Sequence, residues 1–210
     1  MILKTYQRDK NPTKAVIGLH GWTGDEHSLR PVAIGVNLRN AKWYFPRAPY
    51  PVDQGTGYSW FRGSDEEGWE YKATFDLLDS LLDKIRAEGF PPEAIYMVGF
   101  SQGASLAMEY ALRLPYTLGG IVPIAGFVKF PERLKRSATQ PGRSTPVLIM
   151  HGERDTIVKP EAANNTLRFL QELGNPVRME TYPANHKIPV RAMSLIRDFV
   201  SRDAETADDS

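Results

Sequence analysis

Four short apolar runs punctuate the chain: AVIGLH at 15–20, AIYMVGF at 94–100, GIVPIAGF at 120–127 and PVLIMHG at 146–152. None alternates cleanly between apolar and polar positions, which is how strands covered on both faces read. Between the runs the period lengthens, and helical patterns fall at roughly 28–39, 66–90, 104–114, 160–173 and 189–200. In the second of these, Leu77, Leu78, Leu81, Leu82 and Ile85 form one stripe, and Gly89 with Pro91 supplies the stop. VRMETY at 177–182 adds a later strand and LKTYQ at 3–7 an antiparallel edge strand. Strand alternating with helix predicts an α/β fold with a mostly parallel central sheet and helices on both faces.

With 210 residues, 41% of them apolar, the chain buries one sizeable core. The expected organisation is one domain over residues 1–200, followed by a polar tail, SRDAETADDS at 201–210, that frays in solvent. The stretch 46–64, PRAPYPVDQGTGYSWFRGS, carries three prolines and three glycines among Tyr50, Tyr58, Trp60 and Phe61, and is expected to be an irregular loop. A loop that long is functional or disordered, and its aromatic content points to function. Between the strands ending near Phe127 and starting near Pro146, the charged and proline-rich residues 128–145 are too few for a helical lid domain.

Charge narrows the partners. Lys plus Arg is 26 and Asp plus Glu is 25, a formal +1, so no electrostatic excess draws the protein to nucleic acid. MILKTYQRDK lacks the apolar segment of a secretory signal, and the longest near-apolar run, GGIVPIAGFV at 119–128, is too short to span a bilayer, so no membrane insertion is expected. The absence of cysteine removes disulfides, thiolate metal sites and cysteine nucleophiles, and fits a cytoplasmic protein.

A candidate nucleophile follows from Gly99-Phe100-Ser101-Gln102-Gly103, which lies between a strand and a helix. That context bends the chain sharply, lifts the Ser101 hydroxyl above the carboxyl end of the sheet and aims helix N-terminal amides at the same point. A serine needs a base, usually a histidine oriented by a carboxylate. Of the four histidines, His20 and His151 each end a strand before glycine and read as packed side chains, and His27 in GDEHS reads as solvated. His186 lies in the loop TYPANHKIPV ahead of the last helix, where Asn185 suits a left-handed turn. Glu153 and Asp155 in MHGERDTIV both follow a strand, so either is placed to reach the top of the sheet, and two residues apart they are expected to face different ways. The order serine, acid, histidine is that of hydrolases built on this elbow, whose oxyanion hole takes one amide after the nucleophile, here Gln102, and one from an earlier strand-to-helix loop, here Trp22.

With LHGWTGD, FPRAPYPV and the later SWF, VGFSQGAS, MHGERDTIV and NHKIP, the chain from about Val16 to Phe199 resembles the phospholipase/carboxylesterase family of α/β hydrolases, which includes acyl-protein thioesterases. The resemblance implies Ser101 as nucleophile, His186 as general base and then acid, Asp155 as its orienting partner, and the Trp22 and Gln102 amides as the oxyanion hole. It implies a substrate pocket walled by the 46–64 loop, with Trp22, Tyr50, Trp60, Phe61, Phe127 and Ile157 as its expected lining, and no metal or organic cofactor. Thr23 stands where the family often has glycine, Asn185 replaces a common glycine, Arg62 falls where an acidic residue is frequent, and Trp22 is bulkier than the usual aliphatic residue. The expected activity is that of a serine carboxylesterase on small soluble esters, acting as a monomer or homodimer. Lysophospholipase, thioesterase and acyltransferase action share the chemistry, and a non-catalytic ligand-binding protein shares the fold.

Overall fold

The structure, a computed structural model, describes residues 1–64 and 66–201. The chain starts with strands β1 (Leu3–Gln7) and β2 (Lys14–Leu19), then helix α1 (Arg30–Val36) and strand β3 (Ala41–Pro46). Two short antiparallel ladders follow, β4 (Tyr50–Pro51) with β5 (Tyr58–Ser59) and β6 (Arg62–Ser64) with β7 (Gly68–Glu70). Next come α2 (Lys72–Ala87), β8 (Ile95–Phe100), α3 (Gln102–Ala111), β9 (Gly120–Ile124), α4 (Pro131–Ser137) and α5 (Gln140–Arg143). The chain continues through β10 (Val147–Gly152), α6 (Pro160–Leu173), β11 (Val177–Tyr182) and α7 (Val190–Ser201).

Seven strands form one sheet in the order β1-β3-β2-β8-β9-β10-β11, parallel except for the antiparallel edge pair β1–β3. Every residue of β2, β9 and β10 is buried, as expected of strands covered on both faces. On one face Leu78, Leu81, Leu82 and Ile85 of α2 pack with Leu106 of α3 and Leu170 of α6. On the other, Val32, Ala33 and Val36 of α1 meet Ala192, Ile196 and Val200 of α7. Each such leucine, isoleucine or valine contributes roughly 1.5–3 kcal/mol by leaving water. Lys14, at the start of β2, is buried with its Nζ 2.6 Å from the Val200 carbonyl, so the last turn of α7 receives a cation where its dipole is negative.

Several elements depart from the sequence reading. β3, AKWYFP, was not foreseen: it is aromatic rather than β-branched, interrupted by Lys42 and closed by a proline, yet it is buried beside β2. The 46–64 stretch is not wholly irregular, since backbone pairing of β4 with β5 and of β6 with β7 satisfies part of its amides. Helix α2 starts at Lys72 rather than 66, because Gly68 at φ 88° and the β6–β7 ladder occupy the preceding residues. The 128–145 connection folds into α4 and α5. Ser201 closes α7, and the tail at 202–210 lies outside the described residues. Among the described residues, no helix is long and apolar enough to cross a membrane.

Candidate active site

Ser101 sits between β8 and α3 with φ 53° and ψ −114°, a conformation that costs on the order of 1–3 kcal/mol for a residue with a side chain. The surrounding backbone enforces it. A Cβ on Gly99 would stand 2.3 Å from the Gly103 carbonyl oxygen, and one on Gly103 would stand 2.2 Å from that of Leu19. The Ser101 N–H donates to the Ile124 carbonyl at 2.8 Å, fastening the turn to β9.

His186, in the loop between β11 and α7, places Nε2 3.0 Å from Ser101 Oγ and Nδ1 2.7 Å from Asp155 Oδ2. The Asp155 side chain is wholly buried after β10, and its Oδ1 accepts the N–H groups of Ile157 and Val158 at 2.9 Å each. Burial alone would raise its pKa, but the His186 hydrogen bond and these two amides outweigh it and hold the carboxyl below its ordinary value. An ionised Asp155 accepts the Nδ1 proton, which leaves Nε2 as an acceptor facing the serine hydroxyl. Glu153 points elsewhere, accepting from Thr181 Oγ1 at 3.1 Å. His151 is buried behind the carboxylate, donating from Nε2 to the Val158 carbonyl at 2.7 Å and so bracing the turn that supplies the two amides. His27 is exposed, 3.4 Å from Glu26.

Two amides remain. Among the described residues, neither the Trp22 nor the Gln102 N–H donates to a backbone carbonyl. The Gly21 carbonyl, in the same peptide unit as the Trp22 N–H, accepts from His20 Nδ1 at 2.7 Å and from the Gly24 N–H at 3.0 Å. With both carbonyl lone pairs engaged, the peptide plane is fixed and the Trp22 N–H points the opposite way. The Ala48 N–H donates to His20 Nε2 at 3.1 Å, which sets the tautomer, and burial lowers the His20 pKa enough to outweigh its bond to Gly21. His20 thus does more than pack, a role its sequence position did not reveal. The Gln102 side chain joins α3 to the 58–61 segment by accepting from the Trp60 N–H and donating to Ser59 Oγ, both at 2.9 Å.

Among the described residues, three cavities line this region. A 170 Å³ cavity is lined by Ser101, Phe61, Trp69, Phe127 and Val158, among others. A 550 Å³ cavity touches it across Phe61, Trp69 and Gln102 and includes Trp22, Tyr50 and Arg62. A 410 Å³ cavity is lined by His186, Ile188, Phe100 and Trp22, among others. Trp60 and Ile157 line none of the three. Trp60 is fully buried with its Nε1 bonded to the His20 carbonyl at 2.8 Å, and Ile157 is 72% exposed, its backbone rather than its side chain serving Asp155. Trp69 and Val158 line the serine cavity in their place. Trp69 was hidden inside the expected 66–90 helix, where Gly68 was the available sign of a break.

A sequence profile described as phospholipase/carboxylesterase matches residues 2–203. The chain belongs to the phospholipase/carboxylesterase family. Among its relatives, the carboxylesterase SOBER1 of Arabidopsis thaliana is 30% identical over 89% of this chain and 89% of its own. Acyl-protein thioesterase 1 of Debaryomyces hansenii is 26% identical over 92% of this chain and 94% of its own. The crystal structure of esterase PE8 superimposes with a TM-score of 0.82 at 25% identity, covering 94% of this chain and 96% of that one. The chain is accordingly an ester hydrolase of the α/β-hydrolase fold.

The departures of this esterase from its family's pattern have structural consequences. Thr23, in the turn after β2, holds φ 66°, a left-handed conformation natural to glycine, with its Oγ1 donating to the Trp22 carbonyl at 2.6 Å. Asn185 is not left-handed. Its turn is closed by the Lys187 N–H donating to the Asn185 carbonyl at 2.8 Å, so no glycine is required before His186. Arg62 is exposed on the wall of the 550 Å³ cavity.

Proposed function

We propose that the protein is a serine carboxylesterase that hydrolyses small carboxylic esters through an acyl-enzyme. The observation that carries this reading is the continuous line Ser101 Oγ, His186, Asp155, with links of 3.0 and 2.7 Å. As Ser101 Oγ attacks the ester carbonyl, His186 Nε2 takes the hydroxyl proton and Asp155 stabilises the imidazolium without itself being protonated. The carbonyl oxygen gains negative charge in the tetrahedral intermediate, between the Trp22 and Gln102 amides. One such donor is worth about a hundred- to a thousand-fold in kcat. His186 then protonates the departing alcohol, and a water activated by the same nitrogen releases the acid and restores the serine. The 170 Å³ cavity beside Ser101 favours a short acyl group, and the cysteine-free composition favours a cytoplasmic enzyme.

Hydrolysis of p-nitrophenyl esters from acetate to dodecanoate, with Ser101→Ala in parallel, tests the reading. A rate maximum at short chains, lost about a millionfold in kcat in the variant, is the expected result. A maximum at long chains replaces small esters with lipid substrates or with thioesters of the kind named for the thioesterase relative. Turnover unchanged in the variant removes Ser101 from the chemistry, and no turnover by the parent protein leaves a ligand-binding role.

A further inference from the structure

Asp155 stands on a loop that begins after Gly152 ends β10 and runs to Pro160 at the start of α6. Within 153–159 Asp155 alone is buried and Val158 is half-buried; the rest is exposed. The first part of the loop is tied to its surroundings, since the Glu153 N–H donates to the Tyr182 carbonyl at 2.9 Å and the Arg154 N–H to that of Ala184 at 3.1 Å. The second part lacks such ties. The Ile157 and Val158 N–H groups are spent on Asp155 itself, so they fix the carboxylate only as firmly as residues 156–158 are themselves fixed. Among the described residues, one hydrogen bond runs from 156–158 to a regular element: His151 Nε2, in β10, donates to the Val158 carbonyl at 2.7 Å.

We infer that His151 is a positioning residue for the reaction: from inside the sheet it fixes Val158, and through Val158 the orientation in which Asp155 offers Oδ2 to His186. The inference rests on the acyl-enzyme reading above and adds a residue to it. Val158 is gripped twice, its N–H by Asp155 Oδ1 and its carbonyl by His151. The carboxylate is therefore set by a chain of bonds that starts in a strand paired on both sides. His151 Nε2 also lies 3.6 Å from Asp155 Oδ2, too long for a hydrogen bond, so its influence on Asp155 runs through Val158.

Folding alone gives no reason for a histidine here. The ring is buried, its Nδ1 has no hydrogen-bond partner among the described residues, and a buried acceptor left without a donor costs stability. An apolar side chain would fill the place without that cost, as Ile149 does two residues earlier on the same face of β10. What it could not do is hold the Val158 carbonyl. A polar group kept at a cost to folding marks a position with another task.

The test separates holding the turn from filling the space. His151→Leu fills the space and donates nothing. Its kcat for p-nitrophenyl acetate is expected to fall about a hundredfold, the cost of roughly 1 Å of misplacement, with KM within about threefold of the parent. Its thermal midpoint is expected to stay within about 4 °C of the parent. The far-downfield proton NMR line of the hydrogen bond between His186 Nδ1 and Asp155 is expected to weaken in the folded variant. His151→Gln keeps an amide that donates to the Val158 carbonyl, and is expected to recover the NMR line and a kcat within about tenfold of the parent. Should the leucine variant fail to fold, His151→Asn, polar but too short to reach Val158, takes its place with the same expectations. Three results overturn the inference: a kcat per folded molecule within about threefold of the parent in the leucine or asparagine variant, a loss that the glutamine variant shares in full, or a loss confined to KM. A large fall in thermal midpoint with kcat per folded molecule and the NMR line intact means that His151 only packs. Ser101→Ala separates these outcomes from failure of the underlying mechanism. Full turnover in that variant defeats the acyl-enzyme reading, whereas abolished turnover there beside an unaffected His151→Leu defeats only the positioning role.

Discussion

The loops that follow β2, β8, β10 and β11 differ from the 46–70 segment in how they are held. Around Ser101 backbone lies against backbone, so closely that Gly99 and Gly103 admit nothing larger than hydrogen. In the 46–70 segment such closeness is confined to Gly57 and Gly63, where an added Cβ would stand 1.9 Å from the Thr23 carbonyl oxygen and 2.1 Å from that of Gly68, while Gly55 and Gly68 would find open space and two short ladders do the pairing. A few bonds join the two regions, chiefly Thr23 to Tyr58 at 3.1 Å and the Gln102 side chain to residues 59 and 60. The difference assigns them separate tasks. Under the proposed mechanism the reaction geometry is set by main-chain spacing that tolerates no added atom, whereas the wall segment keeps such spacing only at Gly57 and Gly63 and leaves its turns at Gly55 and Gly68 open to exchange.

Apart from loss of Ser101 itself, the largest expected effect disturbs the region around Ser101 through a single side-chain group. In Asp155→Asn, the amides of Ile157 and Val158 still claim the side-chain oxygen, so the new NH2 group faces His186 Nδ1. That nitrogen must then accept, the proton moves to Nε2, and the ring no longer takes the serine proton. A kcat lower by about 10⁴, with the thermal midpoint nearly kept, is expected from steady-state kinetics and calorimetry. A loss of less than tenfold would sink the tautomer argument.

A paired substitution tests the packing difference directly. Gly103→Ala drives a Cβ into the Leu19 carbonyl and is expected to cost about 1–3 kcal/mol or more, along with most of the activity. Gly55→Asn, at φ 86° in open space, places a left-handed-tolerant residue in the wall segment and is expected to stay within about 0.5 kcal/mol. Denaturant unfolding of both variants measures the contrast, which disappears if the two costs are equal. Thr23→Gly sits at the join between regions. Relief of its left-handed strain, worth about 1–2 kcal/mol, exceeds the roughly 0.5–1 kcal/mol of added chain entropy, so a small rise in stability is expected. A marked fall would mean that the Thr23 Oγ1 bond to Trp22 outweighs the strain.

Legibility in the sequence followed the same division. The Ser101 elbow, the loop of His186 and the turn of Asp155 are each announced by neighbours within a few residues, and the structure brings all three within hydrogen-bond reach. Choosing Asp155 over Glu153 took the family resemblance, because both follow the same strand. Most sheet strands were legible from apolar runs, but β3 was not, since its burial comes from pairing with β1 and β2 rather than from its own pattern. The wall was least legible. Whether Trp60 or Trp69 faces the cavity depends on which ring the Gln102 and His20 bonds pull inward, and no local spacing encodes that. The part of His20 in fixing the Trp22 amide depends likewise on Ala48, 28 residues away.

The smallest expected effect sharpens the comparison at the ion pair that spans it. Glu26, in the loop after β2, receives Arg47 Nε at 2.6 Å and Nη2 at 2.7 Å, while Arg47 Nη1 donates to the Tyr58 hydroxyl at 3.0 Å and the guanidinium lies over the Tyr58 ring. The Arg47 hydrogen bonds hold the Glu26 carboxyl at about 2, against an ordinary value of 4.5. A carboxylate depressed on folding contributes stability above its unfolded pKa and loses it as pH falls through the folded one, so the contribution is full above about 4.5 and gone near 2. Glu88, held at about 2 despite burial by Lys42, Tyr44 and Lys84, and Asp155, also lowered, add slope of the same sign. Glu26→Gln is therefore expected to flatten part of the fall in thermal midpoint between pH 5 and 2 and to leave the neutral-pH value only slightly lower, because Arg47 is partly solvated. An unchanged acid slope in the variant would mean that the pair does not hold the two regions together, and that the Tyr58 strap depends on its backbone bonds to Thr23 and Gly24 alone.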